Sequence, residues 1–176
     1  MKTNTKLLAL ILILVCSVSS AYAGETMAVV TAPYAPIYAS DGTRDDDAIY
    51  GMAVNAVKSG DFVMLEMSYG IDPIDSKNVQ LVPANVAEEW KASVTHQVIA
   101  PFADIQAEAH TSSFPAIITL PRGAYLKIGE VNPDDDRYVA AELFGGVKGW
   151  VRKPLVRPVR KRLAVGEEQT RKNLAD

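Results

Sequence analysis

The sequence predicts an all-β protein: two small barrels in tandem, a short helical linker between them and a helical tail at the C-terminus. Three observations predict this. The chain repeats itself, its apolar residues fall in short runs cut by Gly and Pro, and helical character inside the repeat is confined to one short stretch. Val30–Ala39 (VTAPYAPIYA) matches Val98–Ala107 (VIAPFADIQA) at an offset of 68 residues. Ala48-Ile49 falls on Ala116-Ile117 at the same offset, and Phe62–Met67 on Tyr138–Leu143 at an offset of 76. The 8 extra residues fit a longer loop in the second copy, around Asn132–Asp136. Three matches in order read as a tandem duplication.

Residues 1–23 read as a secretory signal. Lys2 and Lys6 form a positive head, Leu7–Val18 is an apolar run, and Ala21-Tyr22-Ala23 has the small-x-small form that a signal peptidase cleaves. A run of 12 residues is short for a membrane span, which needs roughly 20. The expectation is a secreted, periplasmic or cell-wall-associated protein, cut near Ala23, with no transmembrane segment in its mature form. Cys16 is the only cysteine and leaves with the signal, so no disulfide, thiolate or Cys-based metal site is expected afterwards.

The first repeat occupies 28–83, a linker 84–96, the second repeat 97–157, and a basic helical tail 158–176. In the second copy Ala116–Leu120 and Tyr125–Ile128 are short strands split by Pro121-Arg122-Gly123. Tyr138–Phe144 is a further strand, and Gly145-Gly146 turns the chain into Val147–Val151. About five short strands in so few residues suit a small closed barrel, which minimises edges. Pro33, Pro36 and Pro101 belong in loops or at edges, because proline cannot donate to a ladder. In the linker, Val86–Trp90 reads as a helical turn, with Trp90 wedged between the barrels to fix their angle.

Charge is uneven. From Gly24 to Val151 there are 8 basic and 18 acidic residues, whereas Arg152–Asp176 holds 8 basic and 3 acidic. An acidic body argues against nucleic acid, which needs a positive footprint. The basic tail reads as a solvated segment.

The second copy contains Ile117-x-x-Leu120-x-x-Gly123-Ala-Tyr-Leu-Lys-Ile128, then Tyr138-Val139, Gly149-Trp150-Val151 and Leu155. This pattern resembles a bacterial SH3-like domain, and two such domains behind a signal resemble the N-terminal half of NlpC-type cell-wall cysteine peptidases. The resemblance covers about residues 28–157. The first copy departs from it, with Pro73 and Ile74 standing where the second has Gly149 and Trp150. The resemblance implies a partner: peptidoglycan stem peptide or the cell wall, with a papain-like catalytic domain downstream.

That downstream domain carries its nucleophile in an Asp-Cys-Ser-Gly motif, which does not occur here, and the mature chain has no Cys to attack a carbonyl. There is no Gly-x-Ser-x-Gly, His-Glu-x-x-His or phosphate-binding Gly loop either, so this chain is expected to be non-catalytic and without a cofactor. His96 and His110 are its only histidines. Asp104, Gln106, Glu108 and His110 alternate on one face of a strand, a pattern read as a solvated edge rather than a cation site. The triplets Asp45–Asp47 and Asp134–Asp136 lack the alternation of a calcium loop and read as loop tips that oppose edge pairing.

Binding is the remaining chemistry. Tyr125 and Tyr138 are expected to fill cores, and Tyr34 and Tyr38, which flank prolines, to lie at the surface. The resemblance also implies a role for Tyr69. In the peptidases, a tyrosine and an acidic side chain of the first SH3-like domain hold the substrate's free amino end, and Tyr69-Gly70 stands where those domains carry a Tyr-Gly turn. The acidic partner stays open. Strand alternation puts Glu66 on the opposite face, and Asp72 or a residue near Tyr34 is an equal choice. Two functions therefore compete: the front part of an NlpC-type endopeptidase that positions peptide, or a stand-alone secreted binding or adaptor module.

Overall fold

The computed structural model describes residues 26–39, 41–68, 70–109 and 115–159. The first seven strands are β1 Thr26–Val30, β2 Tyr34–Tyr38, β3 Arg44–Ile49, β4 Ala53–Ser59, β5 Phe62–Met67, β6 Gly70–Asp75 and β7 Val79–Pro83. Helix α1, Ala84–Ser93, follows. The second seven are β8 His96–Val98, β9 Phe102–Gln106, β10 Ala116–Pro121, β11 Tyr125–Val131, β12 Tyr138–Glu142, β13 Lys148–Arg152 and β14 Val156–Pro158. Two antiparallel seven-stranded sheets result, ordered β3-β2-β6-β5-β4-β1-β7 and β10-β9-β13-β12-β11-β8-β14. Adding seven to each label of the first order gives the second. A 3-10 turn precedes the last strand of each sheet, Ser76–Asn78 in one and Lys153–Leu155 in the other. The fold is all-β and doubled.

The register refines two of the sequence matches. Ala48 pairs with Ala35 of β2, and its structural counterpart pairing with Ala103 of β9 is Leu120, whereas Ala116 pairs with Gln106. The Ala48-Ile49 match to Ala116-Ile117 is therefore not a structural equivalence. Ile74 faces Val63 as Val151 faces Val139, so Pro73 stands opposite Met64 as Trp150 stands opposite Ala140. The first copy departs from the second at Asp72 and Pro73, one residue earlier than simple counting places it. Its β6 still forms six registered pairs with β5. A proline is tolerated there because β6 meets β2 at a single registered pair, Ile37 with Ile74, and few ladder bonds are at stake.

Strand alternation builds each core. Val63 and Leu65 of β5 point inward with Ala35, Ile37 and Ile74, all essentially without solvent exposure. Ile105, Leu120, Leu126, Ala141 and Val151 do the same in the second half. Between the halves lies a third cluster, formed by Met27, Val29, Val82, Trp90, Val94 and Phe144. Trp90 is 7% exposed, its Nε1–H donates to the Gly51 carbonyl at 2.8 Å, and its ring meets Phe144 edge-on at 5.6 Å. The linker tryptophan thus wedges between the halves, from a helix of ten residues rather than a single turn.

Three expectations need correction. Tyr125 is half-buried and packs at this junction, not in the core of its own half. Asp45–Asp47 lie within β3, an edge strand of the first sheet, not at a loop tip; charge on an edge still opposes pairing. β9, which carries Asp104 and Gln106, is flanked by β10 and β13 and is no edge. The signal sequence, and the tail from residue 160 onward, lie outside the described residues.

Candidate functional site

Because the halves share a topology, each presents the same outer face, formed by β4-β5-β6 in one and β11-β12-β13 in the other. Alternation sends Phe62, Met64 and Glu66 outward from β5 and Ile71 and Pro73 outward from β6, with Val57 of β4 opposite Met64. Val57 is 70% and Ile71 66% exposed. Two shallow grooves share Met64 and Ile71. One is bordered by Asn55, Val57 and Glu66, where the Asn55 amide donates to Glu66 at 3.2 Å. The other runs past Tyr38, Phe62, Pro73 and Asp75. On the second half the same positions hold Lys127, Gly129, Ala140, Glu142, Lys148 and Trp150. One face is apolar and the other charged.

The predicted site residues fare differently. Tyr38 is half-buried, stacks edge-on against Phe62 at 6.4 Å and lines the second groove. Tyr34 is 52% exposed at the other end of β2, four residues away, about 13 Å along an extended strand, and does not line that groove. Tyr69 lies outside the described residues. Glu66 and Asp72 stand on opposite faces of the β5-β6 ladder, since Asp72 pairs with the inward Leu65. Asp72 carries an Oδ2 that is buried and has no hydrogen-bond partner among the described residues. A buried carboxylate oxygen left unpaired is costly, and a donor from outside the described contacts would relieve it. Asp75, on the outer face, is held below the usual carboxylate range by its hydrogen bonds to the side chain and backbone of Lys77.

Glu108 is exposed beyond the end of β9, His110 is outside the described residues, and no group of three His, Cys, Asp or Glu side chains among the described residues is placed to hold an ion. His96 sits beside the Thr95 hydroxyl at 2.9 Å, and burial pushes its imidazole below the ordinary value. Among the described residues no helix is long and apolar enough to cross a membrane.

Sequence reasoning missed Tyr50. It is 4% exposed and, though it follows β3 of the first half, belongs to the core cluster of the second. Burial pushes its phenol pKa up. The available signal was positional: Tyr50-Gly51 corresponds to Arg122-Gly123, both glycines having positive φ (+79° and +95°), and a large ring at a tight turn needs a place to go.

No known family model and no curated protein matches this chain. Among solved structures, an NlpC/P60 family protein of Bacillus cereus is similar at 15% identity and a TM-score of 0.53, over 77% of this chain and 57% of that one. Two Trichomonas vaginalis proteins also align. NlpC2 has 12% identity, a TM-score of 0.31, and 81% of this chain against 51% of that one. NlpC1 has 12% identity, a TM-score of 0.30, and 81% against 49%. The chain spans about half the length of these proteins. The likeness is one of fold.

Proposed function

We propose that this chain is the secreted, non-catalytic front part of an NlpC-type cell-wall endopeptidase, built from two SH3-like domains that position peptidoglycan stem peptide for a downstream papain-like domain. The observation that carries the reading is Asp72: a carboxylate with an unpaired buried oxygen, three residues from Tyr69, in the half whose counterpart position is a glycine. An ammonium group is the complement of such an oxygen, and a tyrosine adds a ring face and a hydroxyl to replace the water it loses. Tyr69 and Asp72 together would hold the free amino end of the peptide. Fold likeness to the Bacillus cereus protein supports this reading.

The test is titration of a muropeptide with a free amino-terminal alanine into wild type, Tyr69→Ala, Tyr69→Phe and Asp72→Asn. Loss of a charge-assisted hydrogen bond is worth about 1.5–3 kcal/mol, so Asp72→Asn should weaken binding about tenfold or more. Acetylating the amine should weaken wild type by as much. Equal affinity across all four proteins, or affinity that survives acetylation, ends the proposal. Reading the gene beyond the codon for Asp176 separates this function from a stand-alone adaptor: an Asp-Cys-Ser-Gly motif in frame supports the former.

A further inference from the structure

The second half carries a recess on its outer face that the peptide-positioning reading does not use. It measures about 390 Å³, and its lining includes Lys127, Gly129, Ala140, Glu142, Lys148 and Trp150. Register arranges these residues in two rows. Glu142 of β12 pairs with Lys127 of β11 on one side and with Lys148 of β13 on the other, which makes a charged row across three strands. Two residues along β12, Ala140 pairs with Trp150, and a Cβ on Gly129 would lie 3.4 Å from the Ala140 Cβ. Gly129, Ala140 and Trp150 therefore form the next row on the same face.

The first half shows that the fold does not demand this recess. There the matching positions hold Val57, Met64 and Pro73, since Met64 pairs with both of the others as Ala140 stands beside Gly129 and Trp150. The second half thus lacks two large side chains beside its indole, and a space remains there. The charged row sets what that space suits. Lys127 stands 3.4 Å from Glu142, and Lys148 makes no ion pair among the described residues. Both signs lie side by side and part-exposed, so a ligand of either charge would meet a like charge as well as an opposite one. A neutral ligand with neighbouring hydroxyls fits better, because each hydroxyl accepts from an ammonium and donates to a carboxylate.

We infer that this recess binds a neutral pyranose of a glycan chain, its C–H face against the Trp150 indole and its hydroxyls on Lys127, Glu142 and Lys148. An indole face carries negative charge density, and the C–H groups on one side of a pyranose carry the opposite partial charge. Gly129 and Ala140 leave the ring room to approach, where Val57 and Met64 would stand in its way. The volume of about 390 Å³ falls within the roughly 300–1,000 Å³ of small-ligand sites, which join an aromatic wall to a few placed polar groups. This site stands independently of the amine-holding role given to Tyr69 and Asp72, which belong to the first repeat.

The experiment is an NMR titration of the whole chain with chitotetraose, cellotetraose and sorbitol, the last of which has hydroxyls and no ring. At about 20 mM even a millimolar site is nearly filled. The chain has two tryptophans, and their indole N–H signals report separately. That of Trp150 should shift saturably with at least one tetrasaccharide, while that of Trp90, bonded to the Gly51 carbonyl, stays in place. Comparing the two tetrasaccharides separates acetamido sugars from plain glucose chains. Gly129→Val gives the recess the side chain that the first half carries at Val57, and should weaken binding about tenfold or more. Trp150→Ala, followed by saturation transfer to the sugar C–H groups, should do the same, and either variant suffices should the other fold poorly. Absence of saturable shifts with both tetrasaccharides, an equal response to sorbitol, or a folded Gly129→Val or Trp150→Ala protein that keeps wild-type affinity overturns the inference.

Discussion

Among the described residues, Asp135 has the most strongly lowered carboxyl. Arg137 donates to both of its oxygens, at 2.8 and 2.7 Å, and its carboxyl falls to about 2, with a smaller pull from Arg152. A folded-state value below the unfolded one means the contact stabilises fully above the ordinary carboxylate range and is lost as pH falls toward 2. In Arg137→Gln the Asp135 carboxyl, followed by its ¹³C shift, should titrate most of the way back toward 3.8; a midpoint still near 2 would refute the assignment of the cause. Gly149 is a different kind of constraint. A Cβ there would lie 2.6 Å from the Gln106 carbonyl and 2.7 Å from the Ile105 side chain. Overpacking costs about 1–3 kcal/mol, so Gly149→Ala should lower the denaturant midpoint correspondingly, and an unchanged midpoint would show that β9 and β13 part easily.

The strands divide into inward positions that the fold requires and outward positions that it does not. Val57 and Ile71 are outward, so Val57→Ser with Ile71→Thr should change stability by less than about 1 kcal/mol while removing the apolar character of that face. Chemical denaturation checks this, and a larger loss would mean the face supports the sheet. The same division explains what was legible in the sequence. Val63, Leu65 and Ile74 alternate with polar or bulky neighbours, and the copies share this pattern, so the strands and their doubling could be read directly. The register could not: Ala48 and Ala116 look alike, but the chain between β2 and β3 differs in length from that between β9 and β10, and only pairing across the ladder shows that Leu120 is the counterpart. Asp72 was visible as a charge near Tyr69, whereas its unpaired oxygen depends on how β6 meets its neighbours. The recess beside Trp150 was hidden for the same reason, since Gly129 lies 21 residues away and arrives through β11.

The two halves are joined by more than the chain between them. Tyr50 leaves the first half to finish the core of the second, and the Tyr125 N–H donates to the Tyr50 carbonyl at 3.0 Å. Trp90 fills the space between them and ties its indole N–H to Gly51. Gly51 itself admits no side chain, since a Cβ would come within 2.8 Å of the Tyr125 carbonyl. Equivalent turns, at Gly51 and Gly123, thus face each other's half: Gly51 lies against Tyr125 and Gly123 against Ile49. Neither half can unfold without opening the other's apolar surface, so unfolding should be a single cooperative transition in calorimetry, coincident by tryptophan fluorescence and circular dichroism. Removing a buried tryptophan costs about 3–5 kcal/mol, and removing Trp90 concentrates that loss at the junction. Trp90→Ala, and Tyr50→Ala independently, should therefore split the transition in two, with the first half melting earlier because its core keeps fewer large side chains. Two separate transitions in wild type would mean that the junction is too weak to couple the halves. One sharp transition in both variants would mean that coupling runs through the sheets themselves.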